Sequence, residues 1–274
     1  MDIASTKKLD NGVTMPALGF GVYKVGDKEA EQSVLWALEA GYRHIDTAKV
    51  YENEKGVGRA IKAGGVKREE IFVTTKLWNQ DMRDNRQKAA FEQSLKDLGT
   101  DYVDLYLIHW PVPNFAESWN ILEQIYRTGK ARAIGVSNFQ IHHLERLAET
   151  REIAPMVNQI ESHPLLTQKD LTGYCRQKGI ICEAWSPLGG EGARILEEKT
   201  IRDIAAKHGR TEAQVVLRWD LQRNVVPLPK SVHRERIESN ADLFDFTLGD
   251  GDMAAIDAMN KNKRVGPDPD NFNF

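Results

Sequence analysis

Four polar side chains close successive apolar runs of this chain, and their types suit the reduction of a carbonyl group. Asp46 and Tyr51 lie in GYRHIDTAKVYENE (41–54), Lys76 in FVTTKLW (72–78) and His109 in VDLYLIHWP (103–111). A free phenol has a pKa of about 10, so a tyrosine that donates a proton near neutral pH needs a cation and an orienting polar group beside it. Lys76 closes a β-rich run, where an unpaired ammonium is costly, and Asp46 is the carboxylate that would pair with it. Such a pair would hold positive charge near Tyr51 and lower its pKa; the alternative is a purely structural ion pair. His109 has the chemistry to hydrogen-bond a carbonyl oxygen, the alternative being a packed histidine before Trp110 and Pro111.

The elements that must hold these groups repeat along the chain. Helical stretches end at Gly41, Gly64 and Gly65, Gly99, Gly129 and Gly179, each followed by a short β-rich run; glycine just past a helix marks such a joint. Apolar spacings of three and four (Val34, Leu35, Leu38; Val57, Ala60, Ile61; Phe91, Leu95, Leu98; Ile141, Leu144, Leu147) predict helices with one buried stripe. Thr167 with Asp170, and Thr211 with Gln214, have the spacing of capping boxes. Strands are predicted at 18–21, 44–47, 72–76, 103–109, 132–137, 156–160, 180–184 and 225–228. Eight strands alternating with helices predict an α/β fold, a (β/α)8 barrel with its reactive groups at the C-terminal strand ends. Asp46, Lys76 and His109 obey that rule. A doubly wound sheet would need GxGxxG after a strand, and GFG at 19–21 and GVG at 56–58 lack it.

Two segments fall outside the repeat. Lys7 to Leu9 and Val13 to Met15 flank Asp10, Asn11 and Gly12, which predicts an N-terminal β-hairpin able to plug the barrel floor. The tail from Arg264, ending in Phe272 and Phe274, has no helical period and is expected to pack as a loop over some surface, the pocket mouth being one candidate.

Bulk properties narrow the function classes. The chain has 274 residues, 41% hydrophobic and 28% charged, an ordinary globular composition that one barrel domain over 1–274 can accommodate. A net charge of −3 with scattered basic residues speaks against nucleic-acid or membrane-surface partners. The N-terminus lacks a signal-like apolar core and no run is long enough to span a membrane, so a cytoplasmic location is expected. Cys175 and Cys182 are read as free thiols. No metal site is expected: neither HxH nor HExxH occurs, and His142 and His143, adjacent on a helix, should face different directions.

With GYRHIDTAxxYxNE, TTKLW, DLYLIHWP, IGVSNF, VNQIE.HP, AWSPLG and PKS in order, the chain resembles an aldo-keto reductase over nearly its whole length. It is most similar to the bacterial and protozoal branch with 2,5-diketo-D-gluconate reductases and prostaglandin F synthase-like enzymes. The resemblance implies a (β/α)8 barrel that binds NADPH without a Rossmann domain and reduces aldehydes and ketones to alcohols, among them small aldehydes, dicarbonyls or keto-sugar acids. It makes Tyr51 the proton donor, Asp46 and Lys76 its tuners, and His109 the orienter of the carbonyl. Ser137, Asn138 and Gln159 would meet the nicotinamide carboxamide and Trp185 would stack on its ring. Lys230, Ser231 and Arg236 would hold the adenosine phosphate, where two cations and a hydroxyl suit a dianion; the alternative is a solvated basic helix start. Ser186, Leu188 and Asn240 map to other cofactor contacts, and Tyr23, Trp78 and Trp110 to the substrate pocket. A monomer is expected by the same resemblance.

The chain departs from the family pattern in places. Lys49 replaces a small residue and would favour anionic substrates or point to solvent. Ser239 replaces a glutamate on the adenine side, Ser162 replaces an apolar residue, and Gly190 with Glu191 alters the loop after the seventh strand. Two rivals share the fold: an NADPH-binding sensing subunit, disfavoured by the intact tetrad, and a metal-dependent hydrolase, which needs clustered histidines or carboxylates.

Overall fold

The computed structural model describes residues 2–272; Phe274 of the predicted tail lies outside the described residues. A hairpin of β1 (Thr6–Lys8) and β2 (Thr14–Pro16) comes first, paired antiparallel with Lys7 opposite Met15. Eight parallel strands follow: β3 (Phe20–Gly21), β4 (His44–Asp46), β5 (Phe72–Leu77), β6 (Leu105–Ile108), β7 (Ile134–Ser137), β8 (Val157–Glu161), β9 (Ile181–Trp185) and β10 (Val226–Pro227). They lie side by side in chain order. The Gly19 N–H donates to the Pro227 carbonyl at 3.1 Å and the Gly21 N–H to the Pro229 carbonyl at 3.0 Å, joining the first strand to the last. All eight predicted strands are present, and the fold is the (β/α)8 barrel that their alternation required.

The principal helices outside the barrel are α1 (Asp27–Glu39), α2 (Glu54–Ala63), α3 (Asn79–Arg83), α4 (Gln87–Leu98), α5 (Phe115–Arg127), α6 (Ile141–Ala148), α7 (Lys169–Gln177), α8 (Gly190–Ala193), α9 (Lys199–His208), α10 (Glu212–Gln222), α11 (Arg234–Ala241) and α12 (Asp250–Asp257). Their apolar stripes face inward as the spacing predicted: Val34 and Leu38 of α1, Val57 and Ala60 of α2, and Phe91, Leu95 and Leu98 of α4 are buried in one core. Gly99 ends α4 at φ +64°, a conformation that costs glycine little and other residues more.

One predicted cap holds and one does not. Thr211 and Gln214 form a reciprocal capping box at the start of α10. Before α7 the N-cap position is taken by Gln168 at φ 52°, and no side chain caps it. The turn places Thr167 one position too early, and its backbone N–H bonds instead to Asn260 Oδ1 at 3.1 Å.

The hairpin seals the barrel floor. Leu9 and Met15 are buried against Phe72, Leu105, Val157 and Val226, the residues that open β5, β6, β8 and β10. Cys175 on α7 and Cys182 on β9 are buried free thiols.

Candidate active site

The four groups read from the sequence converge at the C-terminal end of the barrel. Asp46 ends β4, Lys76 lies in β5 and His109 directly follows β6. Tyr51 sits in a single 3-10 turn, Lys49–Tyr51, that returns from β4 over the mouth. Lys76 Nζ donates to Asp46 Oδ1 at 2.6 Å and to the Thr47 carbonyl at 2.9 Å, and lies 5.1 Å from the centre of the Tyr51 ring. The Tyr51 and His109 rings meet edge to face with centroids 5.6 Å apart.

The electrostatics differ from the expectation in one respect. Burial first, and then the Asp46 carboxylate, hold the Tyr51 phenol well above its ordinary pKa. In the unliganded pocket the Lys76 ammonium is spent on Asp46, so the pair does not lower the phenol as its charges alone suggested. His109 behaves differently. Burial and the Lys76 charge push it well below its usual value, so it is neutral at pH 7. Its Nδ1 is buried and has no hydrogen-bond partner among the described residues. A proton on Nε2 leaves only a lone pair unsatisfied at Nδ1, and an orphaned N–H is the rarer and costlier case. The neutral ring therefore has Nε2–H as its donor.

Aromatic rings wall the mouth. Trp78 lies edge to face with His109 at 5.3 Å, Tyr23 is 5.0 Å from Tyr51, and Trp110 stacks flat on Phe272 at 3.8 Å with 6° between planes. Of the surfaces open to it, the tail thus takes the pocket mouth. Glu161 anchors it: the Val265 N–H donates to Glu161 Oε1 at 2.6 Å. Asp270 holds it further out, 3.1 Å from His142 Nε2 and 3.5 Å from His143 Nε2.

The two histidines depart from their predicted orientation. Their ring centroids are 4.0 Å apart and both point at Asp270, so the three could in principle surround a cation. However, the Gln140 N–H donates to His143 Nδ1 at 3.1 Å. The neutral ring then carries its proton on Nε2, facing Asp270, where a metal would need a lone pair. Burial lowers His143 to about 4, so this state persists at neutral pH. The trio is a hydrogen-bonded latch for the tail.

The remaining predicted residues fall along one side of the mouth. Ser137 Oγ donates to the Gln159 carbonyl at 2.8 Å, Asn138 Nδ2 to the His109 carbonyl at 3.0 Å, and Trp185 Nε1 to Asn138 Oδ1 at 2.8 Å. Ser186, at φ 48°, and Leu188 follow β9, and the Gly190 and Glu191 loop is wound into α8. Lys230 and Ser231 follow β10; Arg236 and Asn240 lie on α11. Lys230 and Arg236 are exposed and, among the described residues, belong to no ion pair, whereas their neighbour Arg234 is engaged by Glu39 and Glu238. Free cations beside the start of a helix suit a phosphate.

Two departures acquire reasons. Lys49 is not turned to the pocket: its Nζ bonds Asp81 Oδ2 at 2.6 Å. Ser162 is buried and accepts from Arg223 Nη2 at 3.3 Å, which explains a hydroxyl there. A cavity of about 810 Å³ between α2 and α4 lies away from all these groups, and its Lys55, Arg59 and Arg68 are matched by Asp97, Asp27 and Asp104.

The profile of the aldo/keto reductase family matches residues 17–261. The chain belongs to the aldo-keto reductase family. It is 54% identical over 274 residues to glyoxal reductase of Bacillus subtilis, covering 99% of both chains. It is 51% identical to 9,11-endoperoxide prostaglandin H2 reductase of Trypanosoma cruzi, over 96% of this chain and 94% of that one. Among solved structures it is similar to Bombyx mori aldo-keto reductase in complex with NADP, with a TM-score of 0.92 and 39% identity over 98% and 97% of the two chains. As an aldo-keto reductase it shares its branch with the bacterial and protozoal enzymes that its motifs resembled. No helix among the described residues is long and apolar enough to cross a membrane.

Sequence reading missed Glu183, a fully buried carboxyl on β9 that reaches the Gln159 amide. It sits in the run that leads into AWSPLG, and only the barrel's closure brings it near Asp46.

Proposed function

We propose that this aldo-keto reductase is a single-domain, monomeric, cytoplasmic enzyme that reduces small aldehydes, dicarbonyls or keto-sugar acids with NADPH. The observation that carries the reading is the meeting of Tyr51, His109 and the Lys76–Asp46 pair beneath aromatic walls. The cofactor-side residues support it: a carboxamide-sized set of donors and acceptors (Ser137, Asn138, Gln159), the Trp185 ring beside them, and Lys230 and Arg236, without an ion pair among the described residues, next to Ser231.

NADPH, when bound, supplies the hydride. The chain's own residues do the rest. Neutral His109 donates from Nε2 to the carbonyl oxygen and fixes its position between Tyr51 and Trp78. Tyr51 hands its proton to that oxygen as negative charge develops on it. The high phenol pKa of the unliganded site keeps the proton in place until an alkoxide, a stronger base, appears. Lys76 sits near enough to the Tyr51 ring to stabilise the tyrosinate left behind, and a water-poor site strengthens that effect. The aromatic walls exclude water and tolerate apolar or planar substrates.

The test is loss of NADPH absorbance with the purified protein over glyoxal, methylglyoxal, phenylglyoxal, diketogluconate and simple aldehydes, repeated with NADH. Turnover with NADPH well above NADH is expected. Tight NADPH binding with no turnover on any substrate would instead favour a cofactor-sensing protein.

A further inference from the structure

Glu183 has no place in the chemistry above, yet it is fully buried inside the barrel and hydrogen-bonded to the residue that touches its reactive pair. Gln159 Nε2 donates at 2.8 Å to Glu183 Oε2 and at 2.8 Å to Asp46 Oδ2. Asp46 in turn accepts from Lys76 Nζ at 2.6 Å. An unbroken chain, Lys76, Asp46, Gln159, Glu183, therefore crosses the barrel from β5 and β4 to β8 and β9.

Two physical consequences follow from the donor count. A primary amide has two N–H groups and one carbonyl oxygen. With both hydrogens taken by carboxyl groups, the Gln159 amide has one orientation, because the flipped form would aim its oxygen at two carboxyls. The carbonyl Oε1 is then the atom left for a ligand, and it is an acceptor, the partner that an amide N–H requires.

The second consequence concerns charge. The groups facing Glu183 are Asp46 and His44 from β4, Lys76 from β5 and Gln159 from β8. His44 Nε2 lies 3.7 Å from Glu183 Oε1, but burial and Lys76 push His44 down to about 3, so it brings no charge. Two carboxyls then share one ammonium. Burial and the Asp46 charge push Glu183 up to about 8, so near neutral pH it holds a proton and the Lys76–Asp46 pair stays balanced.

We infer that Glu183 is a positioning residue: through Gln159 it fixes the amide that presents an acceptor to the nicotinamide carboxamide, and it keeps the charge of the Asp46–Lys76 pair balanced. This rests on the reductase reading for its cofactor half, while its charge half concerns the unliganded protein.

Two variants separate the roles. Glu183→Gln retains an oxygen that can accept from Gln159 but is neutral at every pH; Glu183→Leu removes the acceptor. Binding is read by titration calorimetry with NADPH and, separately, with 2′,5′-ADP, which lacks the nicotinamide. Glu183→Leu is expected to weaken NADPH about tenfold while leaving 2′,5′-ADP unchanged, and Glu183→Gln to bind both as the wild type does. Unliganded thermal melts against pH supply the second readout. A carboxyl raised from 4.5 to about 8 in the folded state makes the folded protein bind more protons than the unfolded one across that window. The wild type should therefore lose stability relative to Glu183→Gln as pH rises from about 4.5 to about 8, and no further above it. Difference infrared spectra at pH 6 should show a protonated-carboxyl band that Glu183→Gln lacks. Wild-type NADPH affinity in Glu183→Leu, or equal losses for both ligands, overturns the positioning role. Parallel melting curves for wild type and Glu183→Gln overturn the charge role. Tyr51→Phe, assayed alongside, tests the reductase reading itself, and the unliganded melts remain decisive for Glu183 whatever that assay gives.

Discussion

Lys49 Nζ and Asp81 Oδ2 meet at 2.6 Å, with Asp81 buried and Lys49 partly exposed. The ammonium inside the β4 motif is therefore directed at the start of α3 and away from the pocket. Replacing Lys49 with Met should leave the ratio of kcat/KM for anionic and neutral carbonyl substrates unchanged. Stability should fall by about 1 kcal/mol, because Asp81 keeps only a 3.5 Å contact with Arg86 and the Lys49 end of the pair is solvent-screened. Denaturant melts and a paired substrate panel check both. A selective loss on anionic substrates would mean that Lys49 leaves Asp81 when substrate binds.

Tyr51→Phe removes the phenol whose ring meets both His109 and Lys76. Turnover should fall about 100-fold or more, the usual contribution of a positioned acid, with NADPH affinity retained. Steady-state kinetics with a fluorescence titration measures the two. Full turnover in the variant would remove Tyr51 as the acid.

Arg236 is exposed and free of carboxylate partners among the described residues. Arg236→Ala should weaken NADPH roughly tenfold or more, the size of a lost charge-assisted contact, and NADH hardly at all. Equal losses for the two cofactors would contradict a phosphate role.

Asp220 is fully buried on α10, neither carboxyl oxygen has a hydrogen-bond partner among the described residues, and burial pushes it up to about 8. Its nearest cation is Arg223, 3.9 Å away. The folded state holds a proton that the unfolded state releases above 3.8, so stability contributed by neutral Asp220 drains away as pH rises from about 3.8 to about 8. Asp220→Asn should melt with the wild type near pH 4 and several degrees above it at pH 8.5, at roughly 2–4 °C per kcal/mol for a chain of this size class. Identical pH dependence would show that Asp220 is ionised in the fold.

Much of this was legible in the sequence because it is local. Strand ends, helix stripes, the Asn-Gly hairpin and the Thr211 capping box all depend on residues a few positions apart, and each is present where its spacing put it. What the spacing could not convey depends on contacts across the barrel. The Thr167 cap failed because Gln168 takes a left-handed conformation that shifts the helix start by one residue. His142 and His143 converge because Asp270, over a hundred positions later, draws both rings to one oxygen. The Tyr51 phenol is raised because the folded chain buries it and sets the Asp46 carboxylate beside it, facts of distance that residue types alone do not contain. Glu183 carries no local signal at all; its partners lie on three other strands.

Leu9 and Met15 close the lower end of the barrel with apolar side chains. The molecule is in effect a cup with one rim, and Tyr51 stands at that rim beside Tyr23 and His109, with Trp78 and the Trp110–Phe272 stack close by. In a cup closed below, a guest that settles deepest arrives first and leaves last. If cofactor and substrate share that cup as proposed, the hairpin, which touches no reactive group among the described residues, gives their exchange a nested order: the guest nearest the rim departs before the one beneath it.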